Sequence, residues 1–272
     1  MDEKKGGPVY KGLGKIPDRA LLLFATLIYV FLYAPILMLV FFSFNSTRST
    51  QVWTGFSLEW YGELISDQSV LDAFRTSMIV GVTATAIATI IGTLTALAMA
   101  RHRFRGKTFA DSAIYAATVM PEIVVGVSLL VFFVAAGLQL GITTIIIAHV
   151  AFTISFVTIV VRARLSGMDQ SIEEAAQDLG ANPIETFLRV TLPLILPGVM
   201  AGALLAFTLS LDDFVITFFV SGVGSSTLPL KIYSMIKFGV SPVINALSTV
   251  MLVATMVLIL GGSRFFMRKE NS

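Results

Sequence analysis

The stretch Ser171-Ile-Glu-Glu-Ala-Ala-Gln-Asp-Leu-Gly-Ala-Asn-Pro-Ile-Glu-Thr-Phe-Leu-Arg-Val-Thr-Leu-Pro-Leu-Ile-Leu-Pro-Gly198 reads as two short amphipathic helices between long apolar segments. Ser171 and Glu174 have the spacing of a capping box, which predicts the start of the first helix. Gly180 predicts that this helix ends in a left-handed turn. Its apolar face is predicted at Ile172, Ala175, Ala176 and Leu179.

The second helix of this stretch is predicted from residue 183 onward. Asn182 is a favoured cap, Pro183 suits the first helical position and Glu185 can close a second capping box. Pro193 is expected to stop the helix or to bend it. The apolar edge would consist of Ile184, Phe187 and Leu188. A helix-turn-helix of this size between membrane spans is expected to be a docking element.

The composition is that of an integral membrane protein. Of the 272 residues, 56% are hydrophobic and 13% are charged, whereas soluble domains carry about 25% charged residues. The chain has no cysteine, so disulfides and thiolate metal sites are excluded. With only His102 and His149, a histidine-rich metal centre is not expected, and His149 is interpreted as a neutral, hydrogen-bonded packing residue.

Six apolar segments are long enough to cross a membrane, which predicts an all-α, polytopic fold. A polar tail at 1–19 would precede a transmembrane domain at 20–265, and a second tail would occupy 266–272. A loop at 166–193 would contain the helix-turn-helix. The spans are predicted at about 20–44, 76–100, 112–138, 142–161, 194–220 and 243–263.

The orientation follows from the basic residues. If six spans exist, the N-terminal tail, the turn at 101–107, the loop at 162–193 and the C-terminus lie on one side, and together they hold 15 of the 19 lysines and arginines. Cytoplasmic loops carry such an excess. Both termini and the helix-turn-helix are therefore expected to be cytoplasmic.

Gly106-Lys107-Thr108 resembles the end of a nucleotide-binding loop, but the required earlier glycine is replaced by Arg101. No other stretch supplies that pattern, and no nucleophile–base pair or metal-ligand cluster suggests a membrane enzyme. The chain is therefore expected to hydrolyse no ATP and to bind no cofactor itself.

The ionisable residues predicted inside the spans are Glu122, Asp212 and Asp213, with His149 as the one basic candidate. Charges in a membrane are costly and usually line a pathway. We therefore predict a cation path that includes these three acids with Thr208 and Ser210, and a kink at Pro121 beside Glu122. Alternatively, one or both aspartates cap a broken helix or bond the hydroxyls of Thr208 and Ser210.

The helix-turn-helix resembles the EAA coupling loop of ABC-importer permeases. The resemblance rests on Glu174-Ala175-Ala176, on Gly180, and on Val190 followed by Leu192-Pro193. It implies that this loop fits a cleft on a separate ATPase subunit, which would hold ATP and magnesium. The implied coupling residues are Glu174, Ala175, Ala176, Asp178, Leu179, Gly180, Ala181, Phe187, Leu192 and Pro193.

Segments outside this loop are similar to the spermidine/putrescine-type permeases of bacterial ABC importers. They are residues 33–37, 43–46, 120–123, 206–215, 227–234 and 239–246. The resemblance implies a type I importer fold in the inner membrane, a second, identical or homologous permease subunit, two ATPase subunits and an external solute-binding protein. It implies no nucleic-acid partner. A polyamine cargo would suit an acidic path.

Two alternatives remain open on the sequence alone. The first is a permease for another small solute, such as an amino acid, an opine-like compound or another organic cation. The second is a secondary transporter that works alone, although such folds often show inverted repeats and none is visible here.

Overall fold

The structure is a computed structural model that describes the backbone of residues 18–48, 52–237, 239 and 241–270, and the side chains of these residues from 19 to 261. The predicted N-terminal tail lies outside the described residues as far as residue 17. Within the described residues the fold is all-α, as expected, with one antiparallel β-bridge between Asn45 and Phe56. The helices are α1 (Asp18–Phe42), α2 (Glu59–Ser66), α3 (Gln68–Arg101), α4 (Lys107–Val119), α5 (Glu122–Ala135), α6 (Ile142–Ser166), α7 (Ser171–Asp178), α8 (Pro183–Thr186), α9 (Leu192–Asp212), α10 (Val215–Val220), α11 (Leu228–Ile236) and α12 (Pro242–Glu270).

Five of the described helical segments are long and apolar enough to cross a membrane, and a sixth span is possible if the bent pair α4–α5 counts as one. This agrees with the predicted number of spans. Span two begins at Gln68 rather than near 76, because the Asp67 side chain accepts hydrogen bonds from the amides of Ser69 and Val70 and caps the helix early. Spans four and six also continue past their predicted ends.

Span three is not the single helix predicted for 112–138. α4 and α5 meet at an angle of 111° across Met120 and Pro121. Met120 has an extended backbone (φ −66°, ψ 131°), as expected for a residue before proline. The proline thus breaks the span instead of bending it slightly.

Span five, predicted over 194–220, is also broken, as the alternative interpretation of its aspartates allowed. α9 ends at Asp212, Asp213 is extended (φ −67°, ψ 122°), and α10 begins at Val215. Neither proline nor glycine occupies the break, so its cause is found in the side-chain contacts of Asp213.

The core is organised along α3. This helix passes through three buried apolar clusters, which contain Val70 and Ala73, then Val80, then Ala88 and Ala96. The third cluster joins α3 to α6 and α9, whose buried residues there include Val157, Val161, Leu165, Ile195 and Ala206. These three spans form the rigid centre of the chain.

Gly92 allows a close approach of α3 to α6 within this centre, and its replacement is expected to destabilise the protein. A Cβ atom at residue 92 would lie 2.8 Å from Val157 Cβ and 3.1 Å from the Ile154 carbonyl oxygen. Gly92→Ala should therefore cost about 1–3 kcal/mol through overpacking. The measurement is thermal unfolding of the detergent-purified protein.

Gly62→Ala is the matched control, because Gly62 is also helical and a Cβ there would meet no atom within 4 Å. An equal loss of thermal stability in both variants would contradict the assignment of a tight α3–α6 crossing.

Candidate functional site

The helix-turn-helix predicted from the sequence is present as α7 and α8, but the first of its two capping boxes is not. Ser171 lies inside α7, and its amide donates to Asp169 Oδ1 at 3.0 Å. Hydrogen bonds from Ser171, that of the backbone amide above all, hold the pKa of Asp169 below its usual range. The cap is therefore supplied two residues upstream of Ser171, and Glu174 has no part in it.

The turn between the two helices has the predicted geometry. Gly180 has a φ of +95°, and its amide donates to the Gln177 carbonyl at 2.9 Å. The second capping box is also confirmed: Asn182 Oδ1 accepts from the amides of Ile184 and Glu185, and Glu185 accepts from the Asn182 amide.

Of the two effects predicted for Pro193, an end of the second helix is not observed. A π-turn at Phe187–Thr191 joins α8 to α9, and the Leu192 amide bonds to the Phe187 carbonyl five residues earlier. The wider turn accommodates the proline ring at the start of α9, since that position needs no intrahelical N–H bond. The helix-turn-helix therefore continues directly into span five.

Most of the predicted coupling residues lie on the surface of this segment. Leu179, at the end of α7, is 90% exposed, and Ile184 is also exposed. Exposed apolar side chains at the tip of a helical hairpin are typical of a protein interaction site. Of the predicted set, the exposed residues are Glu174, Ala175, Asp178, Leu179, Gly180 and Pro193, and the half-buried ones are Ala176, Ala181, Phe187 and Leu192.

Sequence reasoning missed the buried contact beneath this surface. Glu173 Oε2 lies 2.9 Å from Arg101 Nε, and its Oε1 accepts a hydrogen bond from the Thr191 hydroxyl at 2.7 Å. Arg101 was interpreted only as part of a basic cytoplasmic turn. A contact across 72 positions leaves no signal in the local pattern.

The second candidate region is the break in span five. Asp213 is buried and accepts hydrogen bonds from the amides of Ile216 and Thr217 and from the Thr217 hydroxyl, at 2.8–3.2 Å. It therefore caps α10, as the second interpretation of these aspartates allowed. This capping accounts for a break that contains neither proline nor glycine.

His149 completes the network around Asp213. Its Nε2 lies 3.2 Å from Asp213 Oδ2 and 3.0 Å from Thr217 Oγ1, and its Nδ1 lies 2.7 Å from Ser210 Oγ. The imidazole is 1% exposed, so a buried, hydrogen-bonded histidine is confirmed. The one basic candidate in the spans is therefore the partner of Asp213.

Asp212, in contrast, is exposed and lines an open cavity of about 460 Å³ together with Phe214 and residues of α11 and α12. Glu122 is exposed at the first position of α5, within electrostatic reach of Asp212 and Asp213. α5 packs on α10, since a Cβ at Gly126 would lie 3.3 Å from Ile216 Cα. The breaks in spans three and five therefore lie side by side.

The two predicted hydroxyl residues differ in their relation to this acidic group, since Ser210 is linked to Asp213 through His149 and Thr208 bonds within its own helix. Thr208 donates to the Leu204 carbonyl of its own helix, and Ser210 contacts His149. Among the described residues, no group of three or more His, Cys, Asp or Glu side chains could hold a metal ion.

Phe214, which lines the cavity beside Asp212, belongs to a cluster of aromatic rings. The centroids of Phe214 and Tyr233 are 4.5 Å apart, and Phe218 packs against both. Lys237 Nζ lies 4.9 Å from the Tyr233 centroid, so a basic side chain also lies near these rings. The arrangement offers carboxylates and aromatic faces together, which is the chemistry that organic cations prefer.

Comparison with known proteins identifies the class of this site. The family profile for the binding-protein-dependent transport system inner membrane component matches residues 88–266. The chain belongs to this family. It is a transport subunit and a multi-pass inner-membrane protein, and ATP hydrolysis is performed by separate subunits.

Curated relatives cover most of this permease. The spermidine/putrescine transport system permease protein PotC of Escherichia coli (strain K12) is 45% identical over 237 residues, 87% of this chain and 90% of the relative. The putrescine transport system permease protein PotI of the same strain is 47% identical over 231 residues, 82% of each chain. PotC of Haemophilus influenzae is 42% identical over 248 residues, 91% of this chain and 96% of the relative.

Solved structures share the fold of this permease at low sequence identity. A chain of a bacterial ABC transporter that imports alginate superposes with a TM-score of 0.75 at 16% identity, covering 96% of this chain and 100% of the other. A chain of the MetNI methionine transporter gives 0.60 at 19% identity, covering 78% and 98%. The type I importer fold implied by the resemblance is thus confirmed.

Proposed function

We propose that this permease forms part of the translocation path for a polyamine, spermidine or putrescine, in an ATP-driven importer. The observation that carries the proposal is the identity of 42–47%, over most of the chain, to permeases named for those two cargoes. The alternative cargoes, such as amino acids or other organic cations, have no comparable support.

The acidic group at the paired breaks supplies the matching chemistry. Asp212 faces the open cavity, and Glu122 lies within its electrostatic reach. Polyamines are di- or trications at neutral pH, and an ammonium group gains more from a carboxylate where the dielectric is low than it does in water. The ring of Phe214 borders the same cavity and can contact the cation or the methylene chain. Asp213 contributes by fixing the backbone that presents Asp212.

The proposed complex contains a second permease subunit, identical or homologous, two ATPase subunits and an external solute-binding protein. ATP and magnesium would bind to the ATPase subunits, and α7–α8 would fit a cleft on one of them. Two observations support this assembly: the exposed apolar tip at Leu179, and a solved alginate transporter of the same fold, with 17% identity and a TM-score of 0.67, in complex with its alginate-bound periplasmic protein. The orientation proposed here has both termini and α7 in the cytoplasm, supported by the distribution of lysine and arginine.

The test is uptake by the complex reconstituted in vesicles, with ATP inside and the binding protein outside. We expect labelled spermidine or putrescine to accumulate, and unlabelled polyamine to compete while a neutral amino acid does not. Accumulation of the amino acid without either polyamine would contradict the proposed cargo.

Asp212→Asn is expected to lower polyamine uptake about tenfold or more at subsaturating cargo, because a hydrogen bond to a charged group is worth about 1.5–3 kcal/mol. The substitution preserves the size of the side chain, and Asp212 is exposed, so assembly of the complex should not change. The control is Asp72→Asn. Asp72 is an exposed aspartate on α3, and its side chain accepts a hydrogen bond from Gln68. Equal uptake in both variants would remove Asp212 from the path.

A further inference from the structure

One side chain of the coupling helix α7 is buried against the membrane domain. Among its eight residues, all of them described, only Glu173 is buried. Glu173 Oε2 lies 2.9 Å from Arg101 Nε in an ion pair that lacks hydrogen-bond geometry, and Glu173 Oε1 accepts a hydrogen bond from the Thr191 hydroxyl at 2.7 Å. The side chains of Arg101 and Glu173 are 16% and 11% exposed.

We propose that Arg101, Glu173 and Thr191 form a latch that transmits a displacement of α7 to spans two and five together. This inference rests on the proposed role of α7–α8 as the site of ATPase coupling. The three residues touch neither cargo nor nucleotide in this proposal, so they are positioning residues.

The two partners of Glu173 connect α7 to α3 and to α9. Arg101 is the last residue of α3, which runs back through all three core clusters. Thr191 ends the π-turn that leads into α9, and α9 runs 21 residues to Asp212. At 1.5 Å per residue this is about 30 Å, so α9 links the latch to the break in span five across the membrane.

The chemistry of the latch favours movement as a unit. Breaking a buried ion pair leaves an uncompensated charge in a poorly solvated place, which is strongly unfavourable. A displacement of α7 is therefore more easily accommodated by moving the ends of α3 and α9 with it than by separating Glu173 from Arg101.

The two adjacent glutamates of α7 thereby have different tasks. Successive residues of a helix point about 100° apart, and Glu173 is buried while Glu174 is exposed. Glu174, the residue of the recognised motif, is available to a partner subunit. Glu173 instead connects that partner's docking site to the spans.

The first test measures coupling in Arg101→Gln, Glu173→Gln and the double variant. We expect each single variant to keep ATP hydrolysis but to import about tenfold less polyamine per ATP hydrolysed. The double variant should be no worse than the worse single one, because one interaction is lost in all three. Effects that multiply in the double variant, or an unchanged ratio in the single ones, would overturn the latch.

The control for these variants is Asp111→Asn. Asp111 forms an ion pair with Arg162 that joins α4 to α6 and does not involve α7. We expect its ratio of import to hydrolysis to equal that of the parent. A general loss of stability would instead lower the yield of all the variants without changing that ratio.

A second test does not depend on the cargo. The chain has no cysteine, so spin labels can be placed on cysteines introduced at Gln177 of α7 and Leu94 of α3, both of which are exposed. In the nucleotide-free complex, Arg101→Gln and Glu173→Gln should broaden the distribution of distances between α7 and α3, and Asp111→Asn should not. Distributions as narrow as the parent's would overturn the latch. Absence of polyamine uptake in the parent complex would instead contradict the proposed cargo, with the distance result unaffected.

Discussion

Asp213→Leu is expected to abolish transport and to reduce sharply the amount of assembled complex. The substitution removes the acceptor for two backbone amides of α10 and for the Thr217 hydroxyl. It also leaves His149 buried without its carboxylate partner. Leaving a buried polar group without its hydrogen-bond partner typically costs about 1–3 kcal/mol, and several such losses are a large fraction of the stability of a domain.

The measurement is the yield of monodisperse complex on size-exclusion chromatography, followed by thermal unfolding. Asp212→Leu is the matched control, because it makes the same chemical change at the neighbouring, exposed aspartate. We expect this control to assemble normally and to lose uptake only. Normal assembly of Asp213→Leu would show that the His149–Asp213 network does not hold the break in span five.

Gly180→Pro is expected to uncouple hydrolysis from import while the spans remain assembled. Proline fixes φ near −65° and has no N–H, whereas Gly180 has a φ of +95° and donates to Gln177. The turn between α7 and α8 must therefore change, and with it the relative position of the two helices that form the docking surface. We expect import per ATP to fall at least tenfold, a change equivalent to about 1.4 kcal/mol in coupling.

The matched control is Gly106→Pro, measured in the same uptake and hydrolysis assays. Gly106 has a φ of +91°, and like Gly180 it has open space where a Cβ would lie. It belongs to the turn before α4 rather than to the docking segment. If both variants lose coupling equally, the loss reflects general backbone strain and not the geometry of α7–α8.

Local sequence patterns predicted the structure where the deciding contacts are local. Asn182, Pro183 and Glu185 lie within four positions, and their capping box is present. The same reasoning failed at Ser171, because Asp169 supplies the acceptor two residues upstream. Pro121 correctly predicted that the chain changes direction. The angle between α4 and α5, however, depends on how α5 packs on α10.

The contacts that define the candidate site are between distant segments, and periodicity carries no information about them. Asp213 meets His149 across 64 positions, and this contact decides which of two adjacent aspartates is buried. Arg101 and Glu173 are similarly distant in sequence. The residue types could be singled out because charges are rare in spans, but their pairing required the fold.

The central claim is that this permease links ATP hydrolysis to polyamine entry, and one measurement tests it most directly. Vesicles that contain the complete complex and internal ATP receive external binding protein loaded with labelled spermidine or putrescine, and hydrolysis and label uptake are followed together. The account predicts that both rise when the loaded binding protein is added, and that uptake stops when hydrolysis is blocked. Label entry that continues without hydrolysis, or hydrolysis that rises with no polyamine entry, would contradict it.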